Sequence, residues 1–343
     1  MKKQPLMTTV RRSALVAAVL ALVAVPSFAV DLVAVATEWA PPDGGTPIPM
    51  WAFQAGTECP TTPVAWEVGP AIRATAGETI SISLRNCLAE PISLIVPGLQ
   101  PTLPPDPVWV DAAGTTVVAT GARPIGDTTS RVRSFTNEVA PASSVIYEWT
   151  ARAGSFIYQS GTMVSKQVPM GLYGPVIVEA ATGEAYTGIT YGNEAILFYS
   201  EIDPAVNTAG VPASADYRPQ YFLVNGESYP TAAPMYAAPP AAGENLLVRF
   251  FNAGLETAMP MLDGVLAQVV AEDGNVTPGG SVYPATPAAY SLLLAAGKTL
   301  DAMIAAVPAG KLAVIDRTLR LDNGPGVDDD GGQLVFLDYT SAP

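Results

Sequence analysis

The segment from Gly77 to Asn86 returns, 166 positions later, as the segment from Gly243 to Asn252. Each copy opens on a Gly-Glu turn and runs into a stretch whose alternate positions are apolar. These are Ile80, Ile82 and Leu84 in the first copy, and Leu246, Val248 and Phe250 in the second. A period of two places every second side chain on one face of a strand, so each copy predicts a strand with a buried face. The offset persists beyond the strand, pairing Glu90 with Glu256 and Gly98 with Gly264. Two copies of one strand-and-turn plan predict a duplicated β-sandwich.

The rest of the chain agrees with an all-β class. It holds 33 Pro and 30 Gly in 343 residues. No helical period of any length follows the first 29 positions. Residues 145–149 and 175–179 read as strands closing the first half. Residues 195–200, 220–224, 291–294 and 333–339 read as strands of the second, which begins near Tyr191. Glu194 to Tyr199 forms its first strand. Stretches rich in Pro, Ala and Gly at 101–127, 204–219 and 230–243 read as loops or connectors. The expected architecture is two tandem Greek-key sandwiches, residues 30–182 and 190–343.

Residues 1–29 read as an export signal. Lys2, Lys3, Arg11 and Arg12 form a basic start, Ala14 to Val25 an apolar core, and Ser27-Phe28-Ala29 a small-residue cleavage site. The core is about a dozen residues long, short of the ~20 of a spanning helix. No membrane span is expected after cleavage. Arg11-Arg12 leaves twin-arginine export open beside the general secretory route. Cleavage removes four bases and no acid, taking the formal charge from −14 to −18. Such a chain repels nucleic acid and anionic lipid. The only cysteines, Cys59 and Cys87, read as a disulfide in an exported protein, with a thiolate metal site as the sharper alternative. The expected location is periplasmic, cell-surface or extracellular.

Several phrases occur in an order known from one family. Ser93 to Leu99 ends in Val96-Pro97-Gly98-Leu99. Gly154-Ser155-Phe156-Ile157-Tyr158-Gln159-Ser160-Gly161 is followed by Met170-Gly171-Leu172-Tyr173-Gly174 and a strand. In the second half come Tyr221-Phe222-Leu223-Val224-Asn225-Gly226, Arg249 to Gly254, Val269 to Gly274, and Gly297 to Asp301. The order resembles the cupredoxin domains of multicopper oxidases. In that family the first two phrases carry His-x-His pairs that hold copper. Here Ile95 and Pro97 stand at the first pair and Gln159 and Gly161 at the second. The chain contains no histidine, and the terminal His-Cys-His run of the family is missing.

The resemblance therefore implies the fold while the residues remove the chemistry. Imidazole is the ligand that type 1 and trinuclear copper centres require. Its absence also excludes Ser-His-Asp catalysis, a Cys-His dyad and histidine-based zinc hydrolysis. No catalytic or cofactor-binding residue is assigned and no cofactor is expected, with copper as the alternative. Met259 and Met261 are the soft-metal candidates, since the repeat aligns Met261 with Ile95 and Asp263 with Pro97. Met163 and Met170 would be extra ligands, but core packing also explains these methionines.

Asp328-Asp329-Asp330, with Asp322 and Asn323, lacks the alternating spacing of calcium loops and reads as a solvated turn. Asn275-Val276-Thr277 forms a glycosylation sequon. Glu138, Glu148, Asp203, Asp263 and Asp273 are acid–base candidates by type only. Tyr158, Tyr173 and Trp149 are candidate aromatic anchors as well as core candidates. The expected function is an exported, non-catalytic binding or assembly scaffold. Its partner would be another protein, a copper-competent paralogue or a second copy. The alternatives are a methionine-based copper binder without turnover, or the oxidoreductase that the resemblance alone implies.

Overall fold

The computed structural model describes residues 27–118, 128–214, 216–236, 243–277, 288–324 and 331–339. In chain order the first half contains β1 (Ser27–Trp39), β2 (Ile48–Ala55), β3 (Ile72–Thr75), β4 (Thr79–Asn86), β5 (Gln100–Pro101), β6 (Val108–Val110) and β7 (Thr116–Val118). It continues with β8 (Arg131–Ser134), β9 (Ser144–Thr150), β10 (Gly154–Gln159), the one-turn helix α1 (Val164–Gln167) and β11 (Tyr173–Glu179). A hairpin of β12 (Glu184–Tyr186) and β13 (Ile189–Thr190) leads onward. The second half contains β14 (Asn193–Ile202), helix α2 (Pro204–Ala209), β15 (Tyr221–Val224), β16 (Met235–Tyr236), β17 (Leu246–Asn252) and β18 (Pro260–Leu262). Then follow β19 (Gln268–Glu272), β20 (Asn275–Val276), β21 (Thr299–Ile304), β22 (Lys311–Asp316) and β23 (Leu334–Asp338).

The repeated segments are β4 and β17, central strands of equivalent sheets. One sheet runs β2-β1-β4-β9-β5, with β1 parallel to β4 and β9 antiparallel to it. Its counterpart runs β15-β14-β17-β21-β19-β20, with β14 parallel to β17 and β21 antiparallel. The opposing layers are β10-β11-β3 and β18-β22-β23. Ile80, Ile82 and Leu84 enter the core of the first sandwich, and Leu246, Val248 and Phe250 that of the second.

The repeat extends to hydrogen bonds. The Asn86 side-chain amide donates to the carbonyls of Glu90 and Val139, and its oxygen accepts from Leu88 N–H. Asn252 does the same with the carbonyls of Glu256 and Leu294 and with Gly254 N–H. Gly98 and Gly264 both adopt positive φ, +92° and +78°. Such a turn disfavours any side chain.

One asymmetry decides how the halves join. β4 is buried only at alternate residues, whereas β17 is buried at every residue. The outer face of the β17 sheet carries the rows Ile196–Arg249–Asp301 and Phe198–Phe251–Thr299. It packs on Ser155, Ile157, Tyr173 and Ile177 from the outer face of β10 and β11. Tyr173, Phe198 and Phe251 stack in succession, with centroids 5.4 and 5.5 Å apart. This seam has its own apolar core.

Local expectations change in several places. Residues 291–294 form isolated bridges, Ser291 with Met261 and Leu294 with Ala258, instead of a strand. The expected loop at 101–127 includes part of β5 and all of β6 and β7, and β6 and β7 join β8 in a small sheet. The 204–219 connector contains α2, capped by the Asp203 carboxylate on Ala205 and Val206 N–H and closed by Gly210 in a left-handed turn. Residues 1–26 and Asp328 to Asp330 lie outside the described residues. Ser27 to Ala29 already pair with Thr79 to Ser81, so cleavage after Ala29 would trim β1 to Val30–Trp39. No described helix is long and apolar enough to cross a membrane.

Cys59 and Cys87 form a disulfide with Cα atoms 5.7 Å apart. It ties the loop after β2 to the end of β4, closing a separation of 28 residues. Loop entropy for that length corresponds to about 3.5 kcal/mol. The double variant Cys59→Ala/Cys87→Ala is expected to lose about 3 kcal/mol in urea unfolding, with the secondary structure by circular dichroism unchanged.

Candidate functional site

Three of the four positions that the sequence resemblance marks, Ile95, Gln159 and Gly161, come together. Ile95 and Gln159 exchange both backbone hydrogen bonds at 2.9 Å, joining residues 92–97 to β10. Gly161 follows, packed so closely that a Cβ would lie 2.7 Å from Ile95 Cγ2 and 2.9 Å from Ser93 Oγ. Behind them a hydroxyl knot closes, with Ser93, Ser134 and Thr162 oxygens 3.0–3.1 Å apart and Ser134 donating to Thr136 O. Pro97 stands further out, where it shares a hollow of about 360 Å³ with Gln159, Phe156, Asp273 and Lys298 at the junction of the halves. The donors available here are an amide and hydroxyls.

The methionines separate. Met261 pairs with Ile315 of β22, just as Ile95 pairs with Gln159 of β10. It is half-buried and borders an open hollow with Asp263, Leu266 and Tyr290, which neither Met163 nor Met170 lines. Met259 is half-buried beside it in sequence, its N–H bonded to Asp316. Met163 caps α1 in the first half, and Met170 is buried near Trp51, which donates to its carbonyl. The structure does not bring these four together.

Nor do the candidate acids pair with one another. Glu138 binds Arg133, Glu148 accepts from Thr102, Asp203 caps α2, and Asp273 accepts Thr299 N–H, while Asp263 is exposed in a turn. Among the described residues no three His, Cys, Asp or Glu side chains are grouped to hold a metal. Tyr158, Tyr173 and Trp149 are buried. Tyr158 donates to Pro70 O, Tyr173 stacks in the seam, and Trp149 lies against Tyr147. They are core residues and are not available as anchors.

The strongest polar constellation was not expected from the sequence. Arg249, with no exposed surface, binds Glu194 through Nε and Asp301 through Nη1 at 3.1 Å. Ser155, from the other half, donates to Asp301 at 2.6 Å and accepts from Arg249 at 3.1 Å. Tyr186 donates to the second Asp301 oxygen, and Arg73 reaches Glu194 at 2.8 Å. Burial raises the Asp301 pKa, opposed by Arg249 and by the hydroxyls of Ser155 and Tyr186. The available signal was an arginine mid-strand where the repeat has Ser83. A second buried carboxylate, Glu201, accepts N–H bonds from Leu255 and Glu256 at 2.5 and 3.1 Å and the Tyr217 hydroxyl at 3.3 Å. Burial pushes its pKa up to about 7, although those N–H groups and Arg320 favour the charged form.

No protein-family model matches the chain, and no curated protein matches it. Solved structures do. The blue copper oxidase from Nitrosomonas europaea superposes with a TM-score of 0.66 at 18% identity, covering 91% of this chain and 85% of that one. The multicopper oxidase mgLAC gives 0.65 at 20% identity, covering 93% and 88%. The copper nitrite reductase from Nitrosomonas europaea gives 0.60 at 19% identity, covering 91% and 94%. The chain thus has the all-β, cupredoxin-like fold of these copper proteins over nearly its whole length. The side chains at Ile95, Pro97, Gln159 and Gly161 do not fit their metal: two are hydrocarbon, one is a neutral amide and one is hydrogen.

Two outcomes follow for the seam. Arg249→Met leaves Glu194 and Asp301 buried without their shared cation, and should cost about 3–5 kcal/mol in denaturant unfolding. Glu201 binds its proton more tightly folded than unfolded, so stability present below pH ~4.5 is withdrawn as pH rises through about 7. The wild type should lose on the order of 3 kcal/mol across that window relative to Glu201→Gln, measured as unfolding free energy against pH.

Proposed function

We propose that this is an exported, non-catalytic member of the multicopper oxidase family that serves as a binding scaffold through the outer face of its second sandwich. The observation that carries the reading is the contrast between two equivalent sheets. In the first half, the outer face of β10 and β11 is covered by the β17 sheet. The matching face of the second half is just as apolar, and no described segment makes such a sheet-on-sheet seam with it. Met261, Ile315 and Leu334 align across three strands, with Ala313 and Phe336 as the next row and the Lys311–Asp338 ion pair at the rim. Phe336 is 37% exposed and makes an edge contact with Tyr229.

Apolar side chains left half-exposed in one continuous face mark association surfaces. Each would contribute on the order of 1 kcal/mol when its remaining area is covered. The disulfide supports an oxidising compartment. The donor set at the family's ligand positions supports loss of turnover.

A photo-crosslinking residue at Phe336 is expected to give one discrete protein adduct in the producing cells, and the same residue at exposed Val211 none. Ile315→Glu should abolish the adduct while the protein still folds. A strict monomer by light scattering that yields no adduct would overturn the scaffold reading. Stoichiometric copper surviving dialysis would overturn its non-catalytic part.

A further inference from the structure

The first sandwich does not close along one side. Asn86 N–H donates to Ser143 O and Ala151 N–H to Glu78 O, which sets the phase of the ladder between β4 and β9. In that phase Val145, Tyr147 and Trp149 bond β4. Ser144, Ile146, Glu148 and Thr150 direct their N–H and C=O groups to the opposite edge. The short strand β5 takes only the far end of this edge, pairing Gln100 with Thr150 and Pro101 with Trp149, and Thr102 N–H donates to Glu148 O. Pro104 and Pro105 follow, and proline brings no N–H to continue the ladder. Among the described residues no backbone group bonds the Glu148 N–H or either ladder group of Ile146.

This open edge borders a groove of about 510 Å³. Leu94, Val96, Leu99, Tyr147 and Trp149 form its floor, all buried members of the first core. Leu103 and Phe135 stand at its rim, 73% and 47% exposed. The side chains of Ile146 and Glu148 lie on the reverse face of β9 from Tyr147 and Trp149, so the floor is apolar. Leu103 to Pro105 line the groove where β5 would have run on, so the gap has the position of a missing strand. An apolar floor thus adjoins ladder groups that have no partner among the described residues. A hydrocarbon ligand would satisfy only the floor. An extended polypeptide satisfies both, because its backbone continues the ladder while alternate side chains reach the floor. Pairing of two copies through this edge would bring a second set of residues 103–105 into a gap that one set already lines.

We propose that the β9 edge takes up an extended peptide segment with apolar residues at alternate positions, as an added antiparallel strand. The segment continues the antiparallel direction of β5 beyond Thr102. Directly opposed residues of antiparallel strands place their side chains on the same face. The peptide residue opposite Ile146 therefore points away from the core and turns its N–H and C=O to Ile146, while its two neighbours reach the floor. The ladder selects an extended backbone, and the floor selects the apolar positions. The site is independent of the face proposed for partner binding, which belongs to the other sandwich.

The test is calorimetric titration of the full chain with the peptide acetyl-Lys-Val-Thr-Val-Thr-Val-Lys-amide and two methylated forms of it. One form carries N-methyl groups on both Thr nitrogens, which face β9 in the proposed pairing. The other carries them on two Val nitrogens, which face away. All three peptides share the same side chains and charge. Saturable one-to-one binding of the parent is expected, with at least about tenfold loss on Thr methylation and retention within about threefold on Val methylation. Ile146→Pro removes the edge N–H without touching the β4 ladder and should weaken the parent peptide at least about tenfold. Ile146→Thr keeps that N–H and should stay within about threefold. Circular dichroism checks that both variants fold, and the methylated peptides decide the matter if Ile146→Pro does not. Ile315→Glu should leave peptide binding unchanged, which separates this site from the scaffold face. Absence of saturable binding would overturn the proposal, as would equal binding of the two methylated forms or the reverse order between them. A dimer by light scattering without peptide, lost in Ile146→Pro, would assign the edge to a second copy and overturn it too.

Discussion

Arg249 sits where the two sandwiches meet, and the placement of everything around it depends on keeping that guanidinium paired. It has no contact with solvent, so its charge is tolerable only while Glu194, Asp301 and Ser155 hold their positions. Glu194 and Asp301 come from strands flanking β17, whereas Ser155 comes from β10 of the other half. Sliding one sandwich across the other would break the Ser155 bonds and expose the stacked rings of Tyr173, Phe198 and Phe251. The apolar contacts supply cohesion, and the charged cluster selects one register among the many that a flat apolar interface permits. Replacing such a cluster by hydrocarbon can preserve stability, so specificity of docking is its natural role here.

The duplicated plan shows how one template serves two situations. β4 and β17 point equivalent residues into equivalent cores and end on asparagines with the same bonding pattern. Their reverse faces diverged. That of β4 carries Ser81, Ser83 and Arg85, half-exposed, while that of β17 carries Leu247, Arg249 and Phe251, all buried. Inside each sandwich the constraint is packing, which preserves the pattern. Outside, the constraint is whatever neighbour is present, and that differs between the halves.

This division also explains what could be read from the chain alone. The alternating strands, the glycine turns and the disulfide were legible because each is specified by nearby residues. The buried odd positions of β17 were not, since their burial is conferred by strands distant in sequence, β10 and β11 for Arg249 and Phe251 and the β12–β13 hairpin for Leu247. Arg249 was visible as an oddity opposite Ser83, but its partners Glu194 and Asp301 carry no local signal. Helix α2 was legible in principle from Asp203-Pro204 and Gly210, a capping pattern masked by the proline-rich surroundings. Residues 291–294 had strand composition, yet made only isolated bridges because residues 258–261 meet them at single points. Of the candidate site, the proximity of Ile95, Gln159 and Gly161 followed from the family order of phrases. The scattering of the four methionines depended on how the two halves fold, and no spacing encodes that.

The contact between Gly161 and Ile95 ties the identities of the two residues together. A side chain at 161 would collide with Ile95, and a larger or polar residue at 95 would face a pocket already closed by that glycine and the Ser93 hydroxyl. An imidazole at 161 would overpack this contact, which commonly costs about 1–3 kcal/mol. Position 161 can therefore carry a side chain only if Ile95 and Ser93 change with it.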